Sequence, residues 1–344
     1  MGVEGWLRLT APAALVTALV LGAGPTPASA QPEPGVGATA PATTKVLLIS
    51  VDALGSRSVR ALGPARAPTL HRMLAEGVGT LEARTARELT ETLPNHTSMV
   101  TGRRVDDSHG GHGVTWNDER LRPRTVQAAA GHRVGSLFGV VDSRRRDPAL
   151  FTGKRRLLLF ERSWPAAIDR VVLRQSNARL VRMARHDLVT RRRALTMLHL
   201  TLPDDVGHEQ GFGSPAHLRA VARTDRLLGR LLRAILSRPR LREHLTVVLT
   251  SDHGGWGTDG HGAPADPANF RIPFLVWGAG VARGEDLYDL NHERRDPGRR
   301  RTSYGDRRQP VRNGDAANLV TELLGLGSVP GSQFDRHQRL DVSR

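Results

Sequence analysis

The chain has 344 residues, 39% of them hydrophobic, enough to bury a sizeable core in one large domain or two small ones. Its formal net charge of +16 comes almost wholly from arginine, Lys45 and Lys154 being the only lysines. With aromatics at 4% of residues and no nucleic-acid-binding motif, that charge does not mark a base-stacking nucleic-acid binder. There is no cysteine, which excludes disulfide bracing and thiolate metal ligands and leaves Asp, Glu, His and hydroxyl groups for site chemistry.

In chain order, Arg8 precedes an apolar run over residues 11–24, and Ala28-Ser29-Ala30 supplies a small-residue cleavage site. Residues 1–30 therefore read as an export signal, and the mature protein is expected to be secreted. The run falls short of the roughly 20 residues a membrane span needs, and no second apolar segment is long enough. Residues 31–44, rich in Pro, Gly, Ala and Thr, read as a flexible linker, and residues 45–344 as one folded domain.

Lys45–Val51 is a nearly continuous apolar run ending in Asp52, as suits a strand buried on both faces. Helical spacing follows over Pro68–Glu76. Further strands fit residues 196–202, 245–250 and 272–277, and helices fit residues 176–194, 215–236 and 315–324. Strands alternating with helices predict an α/β fold with a mostly parallel sheet covered on both faces, which gathers ligands beyond the carboxyl ends of its strands. Asp52, Asp204-Asp205 and Asp252-His253 all fall at such ends. The polar, arginine-rich, aperiodic residues 284–312 read as a surface excursion of the same domain. The runs Arg144-Arg145-Arg146, Arg191-Arg192-Arg193 and Arg299-Arg300-Arg301 are expected to be solvated.

The chemistry-bearing residues come in metal-like spacing. Asp204-Asp205-Val206-Gly207-His208 sets a carboxylate four residues from an imidazole, with Gly207 expected to free the backbone to turn. Spacing alone does not choose between Asp204 and Asp205. Asp252-His253-Gly254-Gly255 follows a strand directly. Both of its side chains can serve one ion only where the chain has begun to turn, which the glycines are expected to ease. His261 lies one Gly-rich loop later. Carboxylate and imidazole donors without thiolate suit zinc or another divalent first-row ion. Thr92, ahead of Pro94, could equally be a helix cap.

Leu48-Ile49-Ser50-Val51-Asp52, Thr92-Leu93-Pro94-Asn95-His96 and Thr101-Gly102 resemble the nucleotide pyrophosphatase/phosphodiesterase family of the alkaline phosphatase superfamily. So do Pro203-Asp204-Asp205-Val206-Gly207-His208, Ser251-Asp252-His253-Gly254 and His261-Gly262. The resemblance implies a three-layer sandwich and a two-metal hydrolase of phosphodiesters or nucleotide pyrophosphates, working through a phosphothreonine on Thr92. It implies one ion, zinc in this family, on Asp52, Asp252 and His253 and beside the Thr92 oxygen, and a second on Asp204, His208 and His261. Asp204 is chosen over Asp205 by the family pattern Pro-Asp-x-x-Gly-His. Asn117, after His112-Gly113-Val114, and the Leu93 amide are the implied contacts for the remaining phosphoryl oxygen. The expected partner is a small or polymeric phosphate ester.

Rival readings remain beside this one. Sulfatases resemble a Cys/Ser-x-Pro-x-Arg signature that the chain lacks. Alkaline monoesterases add a magnesium site whose acidic residue falls, here, on His199. A polyanion-binding protein without activity would explain the charge but not the intact ligand set.

Overall fold

The computed structural model describes residues 44–343 apart from position 259. The expected export signal, and the linker before Thr44, lie outside the described residues. β1 (Lys45–Val51) shows why the sheet must be covered twice. Its side chains alternate, so Val46 and Leu48 enter one apolar cluster while Leu47, Ile49 and Val51 enter the other. Burying both sets takes a layer of helices on each face, and the result is a three-layer α/β sandwich.

The remaining strands are β2 (Val78–Arg84), β3 (Pro148–Thr152), β4 (Arg170–Leu173), β5 (Leu195–Leu200), β6 (Leu245–Thr250), β7 (Arg271–Gly278) and β8 (Glu285–Asp286). They form one sheet in the order β4-β3-β5-β1-β6-β7-β2-β8. Among them β7 alone runs against its neighbours, pairing antiparallel with both β6 and β2. The block β4-β3-β5-β1-β6 is parallel throughout, so the carboxyl ends of β3, β5, β1 and β6 lie side by side at one edge.

The expected strand over residues 196–202 is shorter, because β5 ends at Leu200 and a helix, Leu202–Gln210, starts with Pro203 in its first turn. The helix expected over residues 176–194 is Asn177–Thr190, capped by Ser176, whose hydroxyl accepts from the Arg179 amide. β2, β3, β4 and β8 escaped the sequence reading; β4 has four residues and β8 two, too few to display a period.

Two of the arginine expectations change. Arg193 is buried, its Nε donating at 2.5 Å to Asp187 and its fork also reaching Asp169. The segment 284–312 is tied in at both ends: β8 pairs parallel with β2, Leu287 and Val311 are fully buried, and Arg312 donates to the Thr85 carbonyl.

The helix Pro68–Glu76 has no cap of its own, since Ala67 precedes it. Asp225, fully buried on the long helix Pro215–Leu236, supplies the missing acceptor, taking the Thr69 amide at 3.1 Å and the Leu70 amide at 2.8 Å. Replacing it leaves two buried N–H groups unpaired. Asp225→Ala should therefore cost about 1–3 kcal/mol in urea unfolding. Asp225→Asn, which keeps one acceptor, should cost less; equal midpoints for wild type and alanine variant would refute this capping role.

Candidate active site

Four neighbouring strands deliver the site. Asp52 follows β1, and Asp252 and His253 follow β6. Asp204 and His208 ride on the helix after β5, and Lys154 follows β3. Thr92 arrives on the helix Thr92–Thr101, which follows β2. Glu91 occupies the N-cap position without a side-chain cap bond, so Thr92 is the helix's first residue and not its cap. The Thr92 hydroxyl instead lies 3.5 Å from His253 Nε2 and 3.4 Å from Lys154 Nζ.

The sequence motifs explain how the chain is pinned there. Asn95 accepts the Ala86 amide and donates to the carbonyls of Leu89 and Glu91, locking the loop that leads into Thr92. Asn313 bridges Asn95 Oδ1 and the Ser251 carbonyl, tying this helix to the end of β6. Ser251 ties β6 to β1, donating to the Val51 carbonyl and accepting from the Leu54 amide. Ala53, held at φ 58°, turns its amide to Asp252 Oδ1 at 3.2 Å, a strained conformation for a non-glycine residue.

Gly207 does something other than expected, and Gly254 does more than ease a turn. Asp204 and His208 sit one helical turn apart on Leu202–Gln210, so Gly207 makes no turn. A Cβ there would lie 2.3 Å from the Phe212 ring, and the ring takes that space. Gly254 is needed for close approach, because a Cβ would meet the Ala268 carbonyl at 2.2 Å. The chain has turned after β6 as expected, bringing Asp252 Oδ2 to 3.4 Å from His253 Nε2.

Asp204, His208 and His261 converge with one donor atom each, all within 4.8 Å of one another. The two imidazole Nε2 atoms face each other at 3.1 Å, and Asp204 Oδ1 is 3.4 Å from His208 and 3.7 Å from His261. Asp52, Asp204 and His253 form a second such group. Asp204 thus belongs to both groups, whereas the resemblance gave it to one; Asp252 stands beside the second through His253. His253 Nε2 has Asp52 Oδ1 at 3.3 Å, Asp252 Oδ2 at 3.4 Å and Asp204 Oδ1 at 3.9 Å. Those three carboxylate oxygens are buried with no hydrogen-bond partner among the described residues. Buried anionic oxygens are costly unless neutralised. Orphaned oxygens facing imidazole nitrogens, with no sulfur donor, fit divalent first-row ions.

Asn117 and Leu93 come together, but with each other. The Leu93 amide donates to Asn117 Oδ1 at 3.0 Å, so it orients the carboxamide and is not itself free. His112 holds the Asn117 loop, taking the Val114 amide on Nδ1 and facing Ser98 Oγ with Nε2.

Three residues at the site were given no role by the sequence reading, although His96 stands in the run Thr92-Leu93-Pro94-Asn95-His96. Lys154 Nζ donates to Asp204 Oδ2 at 2.5 Å and pairs with Asp52 Oδ2 at 2.7 Å. His199, one of the rival readings' landmarks, lies 3.0 Å from Asp52 Oδ2 through Nε2 and 2.9 Å from Thr152 Oγ1 through Nδ1. His96 stacks edge-on against His199 and accepts no role from the spacing rules that found the other histidines.

Burial would raise Asp52, but the Lys154 ammonium, the His199 hydrogen bond and the nearby His253 imidazole hold it well below the usual carboxylate range. Burial and the Asp52 charge push Asp252 well above that range. Burial opposes a charge on His253, yet Asp252 and Asp52 raise it to about 9. Burial, then the His253 charge, lowers His261 to about 2. Burial likewise keeps His199 neutral, so its Nε2–H donates to Asp52. A cleft of about 800 Å³ opens onto this cluster, lined by Thr92, Asn117, Lys154, Asp204 and His208 among others.

His253 carries a proton below pH about 9 in the ion-free chain, and an ion needs its neutral form. Ion affinity should therefore rise with pH up to that value, with at least one proton released per chain at pH 7. Calorimetry in buffers of different ionisation enthalpy measures that release; zero release would refute it.

Residues 46–263 match the family described as type I phosphodiesterase / nucleotide pyrophosphatase. Residues 213–326 also match the sulfatase family. The chain is 29% identical over 222 residues to human ectonucleotide pyrophosphatase/phosphodiesterase family member 7, covering 54% of this chain and 43% of that protein. It is 25% identical over 295 residues to Neurospora crassa GPI ethanolamine phosphate transferase 1, covering 76% and 27%. It thus spans less than half the length of both curated relatives. In structure it is similar to murine ectonucleotide pyrophosphatase / phosphodiesterase 5, with a TM-score of 0.61 at 16% identity over 87% of this chain and 99% of that one. The chain belongs to the type I phosphodiesterase / nucleotide pyrophosphatase family, within the alkaline phosphatase superfamily.

Proposed function

We propose that the protein is an exported two-metal phosphoester hydrolase, acting on phosphodiesters or nucleotide pyrophosphates through a covalent phosphothreonine on Thr92. The observation that carries this is the set of three buried, unpartnered carboxylate oxygens facing imidazole nitrogens beside the Thr92 hydroxyl.

Asp204, His208 and His261 would hold one ion, and Asp52 and His253, with Asp252 alongside, the other. Zinc suits these donors best. Bound there, two divalent ions supply Lewis acidity and lower the pKa of a neighbouring hydroxyl. Thr92 Oγ1 then forms a bond to phosphorus as its proton passes to solvent, and the leaving oxygen departs with its bonding pair and takes up a proton. Water next attacks the phosphothreonine, freeing Thr92 and the product. Asn117, its carbonyl oxygen fixed by the Leu93 amide, has its NH₂ available for a phosphoryl oxygen. Handing the phosphoryl group to an alcohol instead of water would make the same site a transferase, as the name of the Neurospora crassa relative illustrates.

Export rests on Arg8, the apolar run and Ala28-Ser29-Ala30. Among the described residues no helix is long and apolar enough to cross a membrane. N-terminal sequencing of protein from culture medium should begin at Gln31; an intact Met1 on the exported protein would refute signal cleavage.

Elemental analysis of gently purified protein should approach two ions per chain. Thr92→Ala should keep both ions, because every carboxylate and imidazole remains, while turnover of an aryl phosphodiester falls by several orders of magnitude. Thr92→Ser should keep part of the activity, and acid-quenched wild type should carry a phosphoryl adduct on the Thr92 peptide. Wild-type turnover by Thr92→Ala would overturn the covalent route.

A further inference from the structure

Lys154 stands out because it is one of only two lysines in an arginine-rich chain and its head group is in the site. Its side chain is 14% exposed and lines the cleft with Thr92 and Asn117. Nζ lies 2.7 Å from Asp52 Oδ2, 2.5 Å from Asp204 Oδ2 and 3.4 Å from Thr92 Oγ1.

The carboxylates divide their oxygens in a way that matters. Asp52 and Asp204 each give Oδ2 to Lys154 and leave Oδ1 unpartnered toward the imidazoles. An ion on the Oδ1 side therefore does not need the oxygens that hold the ammonium. An ammonium has three N–H donors on a compact head. Two are taken by the carboxylates, and the third points to Thr92 Oγ1 at 3.4 Å, on the side where the cleft lies.

We propose that Lys154 is a catalytic residue of this site, its third N–H holding a non-bridging oxygen of the phosphoryl group that Thr92 attacks. The proposal rests on the phosphoester reading above. Lys154 keeps its proton throughout: the bond that forms is Thr92 oxygen to phosphorus, and the bond that breaks is phosphorus to the leaving oxygen. Negative charge on the phosphoryl oxygens then meets a donor fixed in advance by two buried carboxylates, so little reorganisation is needed as the bond forms.

The test uses the full chain loaded with zinc, with Lys154→Met to remove the charge at similar length. Lys154→Gln, which keeps an N–H donor for the two carboxylates, serves where the methionine variant does not fold. Ion content is read by elemental analysis, orthophosphate affinity by calorimetry, and kcat and KM with an aryl phosphodiester. The expected result is two ions retained, phosphate bound about 10- to 100-fold more weakly, and a fall in kcat larger than any rise in KM. Two ions with unchanged phosphate affinity would overturn the proposal. Loss of ions would also overturn it, because Lys154 would then be a prop for Asp52 and Asp204. If the wild type binds phosphate but turns over no phosphoester, the functional reading fails and the affinity comparison still judges Lys154. A wild type that binds neither ions nor phosphate sinks both.

Discussion

Asp52 meets two environments with its two oxygens, and the site is organised around that division. Oδ2 takes the His199 N–H and the Lys154 ammonium, and Oδ1 faces His253 with no hydrogen-bond partner of its own. Without the first pair of contacts a fully buried carboxylate at this position would be driven to its neutral form. With them it stays ionised, and the free oxygen becomes a fixed anionic donor. Asp204 repeats the arrangement, with Lys154 on Oδ2 and the imidazoles beside Oδ1. One ammonium thus sets the orientation of a carboxylate from each donor group.

The sheet makes this possible because β3, β5, β1 and β6 are consecutive and parallel. Residues far apart in sequence arrive at one edge, and short polar ties hold that edge together. Ser251 joins β6 to β1, and Asn313 joins the same strand end to the Thr92 helix through Asn95. Each of these side chains is buried and makes its tie to a backbone or amide group. A motif such as Thr92-Leu93-Pro94-Asn95 is therefore split between one hydroxyl in the site and one clamp.

Much of this was legible in the sequence wherever the signal was long or chemically unambiguous. β1 and β6 are continuous apolar runs, and the helices Pro68–Glu76 and Pro215–Leu236 begin with a proline ahead of a clear period. The six carboxylate and imidazole residues at Asp52, Asp204, His208, Asp252, His253 and His261 do meet in space. Lys154 was invisible because its partners lie 50 and 102 residues away and a lone lysine carries no spacing. His199 was noticed only as the absence of an acid; its bond to Asp52 depends on the register of β1 against β5. Gly207 was misread because its reason is a ring from Phe212, a tertiary contact that no local rule contains.

The same residues bear on the choice between diester and monoester. A third ion of the kind monoesterases use needs an acidic ligand where this chain has His199, and His199 is a neutral donor to Asp52. The extra positive charge beside Thr92 comes instead from Lys154, which carries one unit where a magnesium ion would carry two. A phosphodiester holds one negative charge on its non-bridging oxygens, and a phosphomonoester dianion holds two. Beside buried carboxylates and imidazoles, charge interactions are screened less than in water, so a surplus of substrate charge over fixed positive charge is penalised more than it would be in water. Removing one unit of positive charge therefore weakens the hold on a dianion more than on a monoanion. On the proposed phosphoester reading, His199 and Lys154 together would favour the diester, on electrostatic grounds that are independent of the shape of the cleft.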